Sequence, residues 1–513
     1  MTFQELLQGA ETISHRGNPE IHGVQYDSRR VEAGDLFVAM RGASVDGSSF
    51  VADAVSRGAV AVISDSAESV PHPGIAWAHV AHGRRALAAV SANFFGRPAA
   101  MLKITGVTGT NGKTTTAFLL ESVLAATGRG TALFGTIEYH VGAEVLPAIH
   151  TTPESLDLNR LLHLSVRARV SEAVMEVSSH ALAQQRVFGL PFDVAVFTNL
   201  SQDHLDFHQN FDEYFAAKRA LFAGVGSDPP RVSVLNADDQ HGARLVPFCL
   251  SQGSEVVTFG VERGDFRAEQ VQTGRKGVAF HLATPQGGVQ VHSSLAGRVN
   301  LYNILGAAAA ATARGCPLQA IQRGVERLAL VPGRFEQVEC GQPFAVVVDY
   351  AHTDDALRNL TSVAREFVAG NGKSARVITV FGCGGDRDRS KRPLMGEAAG
   401  RGSDFVVLSS DNPRREDPLA IMNDALVGVQ KSGVRYTTEP DRRKAIALAI
   451  TEARRGDIVL IAGKGHEKVQ ITAAGSSPFD DVAEARAALT AAGFTPDEGK
   501  TGARPVAAAG GER

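Results

Sequence analysis

The run Gly106-Val-Thr-Gly-Thr-Asn-Gly112-Lys113-Thr114 constrains this chain more than any other segment. We interpret it as a phosphate-binding loop of the G-x-x-x-x-G-K-[ST] type that begins at Gly106. An apolar strand, Met101 to Val107, precedes it, and apolar residues between 120 and 124 mark the buried face of a helix that follows. In a strand, glycine loop and helix, backbone N–H groups and the helix N-terminus bind phosphate oxygens. The sequence therefore predicts a site for a nucleoside triphosphate.

Polar side chains at the ends of neighbouring strands predict a magnesium site beside this loop. Lys113 is expected to reach the outer phosphates and Thr114 to bind Mg²⁺. Glu176 and His204 follow two other apolar strands, and the carboxyl ends of parallel strands gather at one edge of a sheet. We therefore predict both as Mg²⁺ ligands. The alternatives are a capping or surface carboxylate for Glu176 and a structural histidine for His204.

Length and charge limit the class of protein. A chain of 513 residues predicts roughly three domains of about 150 residues each. The 52 basic and 55 acidic residues give a net charge of −3, which argues against nucleic acid as a general partner. No apolar run reaches the ~20 residues that span a bilayer, so we expect no membrane span and a cytoplasmic location. Four cysteines without C-x-x-C spacing argue against a zinc site.

The order of strand and helix signals predicts an α/β fold with three domains. Residues 1–99 form a small α/β domain with short strands, including Asp35–Ala39 and Ala59–Ile63, and one helix around 84–95. Residues 100–332 form a central parallel-sheet domain that holds the phosphate loop, and Pro332-Gly333 is a plausible hinge. Residues 333–498 repeat the strand and helix alternation and form a second doubly wound sheet. Residues 499–513 are rich in Gly, Ala and Pro, and we expect them to be disordered.

Four strands of the last domain also end in polar segments. These segments are Asp349 to His352, Gly382 to Arg387, Asp411 to Arg414, and Gly463 to Glu467. Because ligands bind beyond the carboxyl ends of such strands, this edge predicts a second ligand site.

Short motifs follow one another from about residue 21 to residue 467. They are Tyr26-Asp-Ser-Arg29, Gly34-Asp-Leu-Phe-Val-Ala39, the phosphate loop with Thr115 and Thr116, Thr151-Thr-Pro153, Glu176-Val-Ser-Ser-His-Ala-Leu182, Asp203-His-Leu-Asp206, Ala216-Ala-Lys218, Asn300-Leu-Tyr-Asn303, Gly333-Arg-Phe-Glu336, Asp349-Tyr-Ala-His352 and the Gly463 segment. In this order the chain resembles the ATP-dependent Mur ligases of peptidoglycan assembly. Within that family, Asp411-Asn-Pro-Arg414 resembles the signature of the branch that adds meso-diaminopimelate.

The resemblance implies a UDP-substrate domain, a central ATPase domain and a C-terminal Rossmann-like domain. It implies an ATP-dependent amide-bond ligase that adds meso-diaminopimelate to UDP-N-acetylmuramoyl-L-alanyl-D-glutamate through an acyl phosphate, with ATP and Mg²⁺. We accordingly expect a monomer with small-molecule partners only.

The resemblance also implies a role for individual residues. For ATP these are Gly109, Thr110, Asn111, Gly112, Lys113, Thr114, Thr115, Asn303, Arg334, Asp349 and His352. For the UDP-linked substrate they are Ser28, Thr151, Thr152, Ser178, Gln184 and Arg186. For the incoming amino acid they are Arg387, Asp411, Asn412, Pro413, Arg414, Gly463 and Glu467. Lys218 resembles the family's carbamylated lysine, which would join Thr114, Glu176 and His204 at the metal, and the catalytic residues would be Lys113, Lys218, His204 and Arg334.

Two positions depart from the family pattern. Ser48 stands where relatives usually have histidine, and Asp354 stands where they usually have proline.

Three other functions stay open. A ligase of the same family that adds L-lysine is the nearest alternative. Folylpolyglutamate synthesis is a further one, although the Tyr26-Asp-Ser-Arg29 region speaks against it. A kinase or nucleotide-driven switch is the alternative of another class.

Overall fold

The structure is a computed structural model that describes residues 1–42, 45–66, 74–204, 207–274, 277–369 and 374–495. The chain divides into two compact units, Met1–Ala329 and the part from Leu330 onward. The predicted domain boundaries after residues 99 and 332 stay a prediction. The tail at 499–513, which we expect to be disordered, lies outside the described residues.

The first unit begins with a small sheet of order β1-β5-β4-β3-β2, in which β1 is antiparallel to β5 and the other pairs are parallel. Its elements are α1 (Phe3–Leu6), β1 (Thr12–Arg16), β2 (Gly23–Gln25), β3 (Asp35–Ala39), α2 (Val51–Ser56), β4 (Ala61–Ser64), β5 (Ala76–Val80) and α3 (Gly83–Phe94). Strands β3 and β4 are buried throughout, because helices and loops cover both faces of the sheet.

The same unit continues into a large sheet of order β16-β15-β14-β13-β12-β11-β6-β10-β7-β8-β9. Its strands are β6 (Lys103–Thr108), β7 (Thr131–Phe134), β8 (Glu138–Val141), β9 (Glu144–Pro147), β10 (Glu172–Glu176), β11 (Phe192–Phe197), β12 (Val232–Asn236), β13 (Glu255–Gly260), β14 (Phe266–Gly274), β15 (Gly277–Thr284) and β16 (Gly287–Ser293). Its helices are α4 (Lys113–Ala125), α5 (Ser155–Arg167), α6 (Ser179–Ala183), α7 (Phe211–Ala223), α8 (Gln240–Ser251), α9 (Arg298–Ala313) and α10 (Leu318–Arg327).

Strand β6 decides where the first site lies. It is paired in parallel with β10 on one side and β11 on the other. The segments that follow these three strands therefore meet at one edge of the sheet. Antiparallel hairpins extend both ends of the sheet, through β7-β8-β9 and β14-β15-β16.

The second unit is built on a sheet of order β17-β18-β22-β19-β20-β21, parallel except for the pair of β17 and β18. Its elements are β17 (Glu336–Gln337), β18 (Ala345–Asp349), α11 (Asp354–Ala369), β19 (Val377–Phe381), α12 (Lys391–Gly402), β20 (Phe405–Leu408), α13 (Pro418–Ser432), β21 (Arg435–Thr438), α14 (Arg442–Glu452), β22 (Ile458–Ala462), β23 (Val469–Thr472), β24 (Gly475–Pro478) and α15 (Asp481–Ala491). Apolar clusters cover both faces of this sheet.

The α/β class predicted from the sequence is confirmed. Strands β19, β20 and β22 are buried along their whole length and are nearly continuous apolar runs, as expected for strands covered on both faces. The expectation of one helix between Ile21 and about Pro98 is wrong, since α2 accompanies α3 there. With six residues, α2 is too short to give a clear helical periodicity in the sequence. No helix in the described ranges has the length and apolarity needed to cross a membrane.

Candidate active site

The loop between β6 and α4 has the backbone conformation that a phosphate cradle requires. Gly109 and Gly112 have φ values of +146° and +86°, which favour glycine. A Cβ on Gly109 would lie 1.9 Å from Thr198 Oγ1, and one on Gly112 would lie 2.3 Å from Asn303 Oδ1. Side chains at these two positions are therefore excluded by packing as well as by backbone geometry. Asn303 of α9, predicted as an ATP residue, thus lies directly against the loop.

The interpretation that counted the phosphate motif from Gly106 is wrong. Gly106 is an interior residue of β6, paired with Met175 and Ala195 of the neighbouring strands. Five residues separate it from Gly112, whereas the general motif has four. The loop itself starts at Gly109, where the backbone leaves the strand.

The segment after β11 braces the loop. Thr198 Oγ1 donates to the carbonyl oxygen of Asn111 at 2.6 Å, and Asn199 Oδ1 accepts from the Asn111 backbone N–H at 3.0 Å. Thr110 N–H donates to Asn199 O at 2.9 Å, and Thr110 Oγ1 lies 3.0 Å from the Tyr214 hydroxyl. These hydrogen bonds hold the phosphate loop against the segment that follows β11 and against α7.

The structure brings together the first two predicted metal ligands. Thr114 Oγ1 donates to Glu176 Oε2 at 3.1 Å, and both side chains are buried. Thr136, just after β7, donates to Glu176 through its backbone N–H at 2.8 Å and its hydroxyl at 3.0 Å. A hydroxyl and a carboxylate this close form a set of hard oxygen donors that fits Mg²⁺ beside bound phosphate.

Lys113 and Lys218 converge on the same loop carbonyl. Lys113 Nζ donates to Gly109 O at 2.9 Å and Thr110 O at 2.8 Å, and Lys218 Nζ donates to Gly109 O at 2.8 Å. Lys218 is only 1% exposed, on α7, and lies 4.6 Å from the centre of the Tyr214 ring. Burial, together with repulsion from Lys113, lowers the pKa of Lys218 well below its usual value. Its burial beside the phosphate loop therefore favours the uncharged amine.

His204 lies beside this group in a left-handed backbone conformation, with φ +56°. Its Nε2 lies 3.3 Å from Asp203 Oδ2, and its ring stands edge-on to that of His180 at 4.7 Å. Burial lowers the pKa of His204 to about 3 against the opposing effect of Asp203, and His180, Lys218 and Lys113 lower it further. A neutral imidazole is the form that binds metals. In the part of the chain described, no three His, Cys, Asp or Glu side chains cluster as a metal site, so protein oxygens and phosphate would have to share the ion.

Most residues predicted to bind the UDP-linked substrate form one network next to Glu176. Thr152 Oγ1 donates to Glu176 O at 2.8 Å and accepts from Ser178 N–H at 3.1 Å. Arg186 donates to Thr152 O at 2.9 Å and to Gln184 Oε1 at 2.7 Å. Thr151 joins the network through Thr136, whose hydroxyl oxygen lies 3.1 Å from Thr151 Oγ1.

Ser28 lies apart from that network, in the part of the first unit that is built on strands β1 to β5, called the first sheet region below. It begins a short 3₁₀ turn, Ser28–Arg30, that Asp27 caps, and its hydroxyl bonds to Asp53. Ser48, the first departure from the family pattern, lies in another 3₁₀ turn, where its N–H donates to Asp46 Oδ1 at 2.9 Å.

In the second unit, Arg334, Asp349 and His352 gather at the end of β18. Asp349 accepts from Phe335 N–H at 2.7 Å and Ala351 N–H at 2.8 Å, and the Arg334 guanidinium stacks over Tyr350 at 4.8 Å. His352 Nδ1 donates to Tyr350 O at 2.8 Å. Burial raises the pKa of Asp349, opposed by Arg334.

The predicted amino-acid residues form a connected group in the same unit. Asn412 Nδ2 donates to Glu467 Oε2 at 2.8 Å, and Lys464 Nζ donates to Asn412 Oδ1 at 3.0 Å. Gly463 has φ +123°, and a Cβ there would lie 2.5 Å from Asp411 Oδ2. Pro413 precedes Arg414, which has φ +53°. The group thus joins the ends of β20 and β22.

Arg414 lies near Asp411, Glu467 and Asp386 without forming an ion pair with any of them. Its Nη1 donates to Gly385 O at 2.8 Å, and among the described residues it makes no ion pair. Burial, with repulsion from Arg387, lowers the pKa of Arg414. Arg387 approaches the same place, since Gly384 lies against both side chains. Two guanidinium groups with unused donors favour an anionic ligand.

Four residues with clear contacts in the site were not assigned roles from the sequence. Thr136 and Thr198 follow β7 and β11, so the rule that strand ends carry polar ligands could have found them. Lys464 lies inside a motif that was recognised but gave no contact for it. Glu154, which pairs with Arg186 at 2.9 Å, left no signal beyond its place after Thr151-Thr-Pro153.

Three protein-family models match successive stretches that together make up most of the chain. Residues 20–95 match the model described as "Mur ligase family, catalytic domain", residues 107–311 the "Mur ligase middle domain", and residues 333–465 the "Mur ligase, glutamate ligase domain".

Individual proteins agree with these models. The chain is 53% identical over 478 residues to UDP-N-acetylmuramoyl-L-alanyl-D-glutamate--2,6-diaminopimelate ligase of Solibacter usitatus, covering 93% of this chain and 94% of that protein. A solved structure of a ligase with that name aligns with a TM-score of 0.65 at 35% identity, covering 93% and 96%. Folylpolyglutamate synthase of Mycobacterium tuberculosis shares the fold alone, with a TM-score of 0.61 at 18% identity over 80% of this chain and 96% of that one.

Proposed function

The chain belongs to the Mur ligase family, and we propose that it is the ATP-dependent ligase that joins meso-diaminopimelate to UDP-N-acetylmuramoyl-L-alanyl-D-glutamate. The observation that carries this proposal is Arg414, a half-buried guanidinium beside Arg387 without a described carboxylate partner. meso-Diaminopimelate differs from L-lysine by one carboxylate at the far end. A planar, fixed guanidinium is the group suited to bind it.

The proposed reaction joins a carboxylate to an amine in two displacement steps. The side-chain carboxylate of the substrate's glutamate attacks the γ-phosphorus of ATP, the bond to the β,γ-bridging oxygen breaks, and ADP leaves. The amine of the amino acid then attacks the acyl carbon, loses a proton, and displaces inorganic phosphate. ATP thereby supplies the free energy that amide formation in water lacks. No residue of the chain needs to form a covalent bond to substrate.

The residues around the phosphate loop would reduce the repulsion between the two reacting anions. The Lys113 ammonium would leave the loop carbonyls that it now contacts and bind the transferring phosphoryl group. Thr114 and Glu176 would hold Mg²⁺, which would neutralise phosphate charge. Loop N–H groups would bind the phosphates, on a backbone that Thr198 fixes through the Asn111 carbonyl oxygen.

We propose that Lys218 is carbamylated in the working enzyme. An uncharged amine adds to CO₂ and releases one proton, which leaves an anionic carbamate. The buried position and lowered pKa of Lys218 favour the uncharged amine. A carbamate could serve with His204 at a second metal ion, which an ammonium group could not do.

Phosphate release measured over a matrix of acceptors and amino acids tests the function. We expect release that requires ATP, the UDP-linked dipeptide and meso-diaminopimelate together. Preference for L-lysine in direct competition would move the chain to the lysine-adding branch. Turnover that needs a protein or nucleic acid instead would favour the kinase or switch.

Lys103→Ala is a suitable control beside Lys113 variants, because Lys103 is exposed at the opposite end of β6.

We also propose a cytoplasmic monomer, because the reaction consumes ATP and small soluble substrates. Sedimentation of the purified chain would test the monomer.

A further inference from the structure

The start of α5 is held by the first sheet region at three points. Arg84 of α3 lies 3.2 Å from Glu154 Oε2. Leu156 packs in the apolar cluster of the first sheet. The Tyr26 hydroxyl donates to Asp157 Oδ2 at 2.7 Å. Glu154 is the N-cap of α5, and Leu156 and Asp157 lie in its first turn. These residues come shortly after Thr152, which belongs to the network beside Glu176.

Glu154 connects these contacts to the predicted substrate residues. Its carboxylate lies between two guanidinium groups, with Arg84 at 3.2 Å and Arg186 at 2.9 Å. The three side chains are only 17%, 11% and 15% exposed for Arg84, Glu154 and Arg186. Glu154 occupies the N-cap position of α5, but its side chain does not cap the helix. The Glu154 carboxylate therefore forms ion pairs with both arginines and does not bond to the helix N-terminus.

The partners of Arg186 show what this carboxylate controls. Arg186 uses its Nε and Nη2 groups on Gln184 and Glu154, and Nη1 on Thr152 O. Its five N–H donors exceed these contacts, so part of the guanidinium is left to bind a ligand. Arg84 also approaches Gln184 O at 3.5 Å. Without Arg84, the carboxylate would be neutralised by Arg186 alone and would compete with a substrate carboxylate for it.

We propose that Arg84 is a positioning residue for the UDP-linked substrate: through Glu154 it sets the position and the free donors of Arg186. The first sheet region would then bind the nucleotide end of the substrate near Ser28 and also position the residues that receive its peptide end. Tyr26, two residues before Ser28, supports the same segment through Asp157. This inference rests on the proposed function, because it assigns the network to that substrate.

The test compares Arg84→Gln and Arg84→Lys with wild type in KM and kcat for each of the three substrates. We expect Arg84→Gln to raise KM for the UDP-linked dipeptide about tenfold, since a hydrogen bond to a charged group is lost. KM for ATP and for the amino acid should stay within about twofold. Arg84→Lys keeps the charge and should recover part of the affinity. In a Glu154→Gln background, Arg84→Gln should have less than half its effect on a logarithmic scale, because the mediating carboxylate is gone.

Arg129→Gln is the matched control. Arg129 pairs with Glu172 at 2.8 Å in the same unit, at the opposite end of β10 from Glu176. We expect this variant to leave KM for the UDP-linked dipeptide unchanged. If Arg84→Gln does not fold, Tyr26→Phe removes only one hydroxyl and should raise the same KM about threefold.

Three results would overturn the inference. They are an unchanged KM for the dipeptide in Arg84→Gln and Tyr26→Phe, an equal rise in Arg129→Gln, and a loss confined to kcat and thermal stability. If wild-type protein releases no phosphate with the UDP-linked dipeptide, the proposed function itself fails. An active wild type with normal KM in the variants defeats the positioning role alone.

Discussion

Replacing Arg414 by alanine should selectively remove the use of meso-diaminopimelate. The substitution deletes a half-buried guanidinium whose described contacts are hydrogen bonds to main-chain oxygens, Gly385 O at 2.8 Å and Asn412 O at 3.5 Å. In the free protein the carbonyl oxygen of the buried Gly385 loses this donor, whereas Asn412 O keeps its hydrogen bond from Gly385 N–H at 2.9 Å. In the complex, the far carboxylate of the substrate would lose its partner.

The size of the effect follows from that difference. Loss of one partner of a partly buried charge pair costs about 2–4 kcal/mol. At 1.4 kcal/mol per tenfold, kcat/KM for meso-diaminopimelate should fall by about 30- to 700-fold. L-lysine has no carboxylate at that position, so its kcat/KM should change by less than about threefold. The ratio of kcat/KM for meso-diaminopimelate to that for L-lysine should therefore fall by nearly the same factor as kcat/KM for meso-diaminopimelate.

Coupled measurement of ADP release gives both constants, with each amino acid varied at saturating ATP and UDP-linked dipeptide. Arg415→Ala is the control, because Arg415 is adjacent, 85% exposed and already paired with Asp386 at 3.0 Å. We expect near-normal kinetics from it. Equal losses in the two variants, or a loss in Arg414→Ala that is the same for both amino acids, would refute the reasoning.

Three further predictions concern the first unit. Lys113→Ala should abolish phosphate release while leaving the dissociation constant of the UDP-linked substrate within about threefold, because Lys113 acts on charge at the γ-phosphate; near-normal turnover would contradict this. Lys218→Ala should be nearly inactive and partly rescued by added acetate or formate, and full activity without rescue would exclude a carbamate. His140 lies between Glu121 at 2.8 Å and Glu138 at 3.0 Å, and although burial opposes protonation these partners raise its pKa to about 9. Protonated His140 stabilises the fold fully below its unfolded pKa of about 6.5, and this stabilisation is lost as the pH rises through 9. The difference in thermal midpoint between wild type and His140→Gln should therefore shrink from pH 6 to pH 10. A constant difference would argue against the ion pairs of His140 with Glu121 and Glu138.

The phosphate loop and the buried strands were predictable because their causes are local. Glycines that must adopt positive φ, and apolar runs that must be covered on both faces, leave direct signals in the sequence. Glu176 could be predicted beside Thr114 by a single further rule, since β10 and β6 are parallel neighbours and their ends must meet. Family resemblance added the names of the substrates, which no local pattern contains.

Other features depended on the tertiary structure, because they join residues that are far apart in the chain. The beginning of the loop at Gly109 instead of Gly106 depends on where pairing with β10 and β11 ends. The burial of Lys218, which favours its uncharged form, depends on how α7 packs beneath the loop. The pairing of Arg84 with Glu154 spans 70 residues of sequence. Sequence alone therefore determined the elements and the kind of chemistry, whereas packing decided which charges are buried together and so which groups can act.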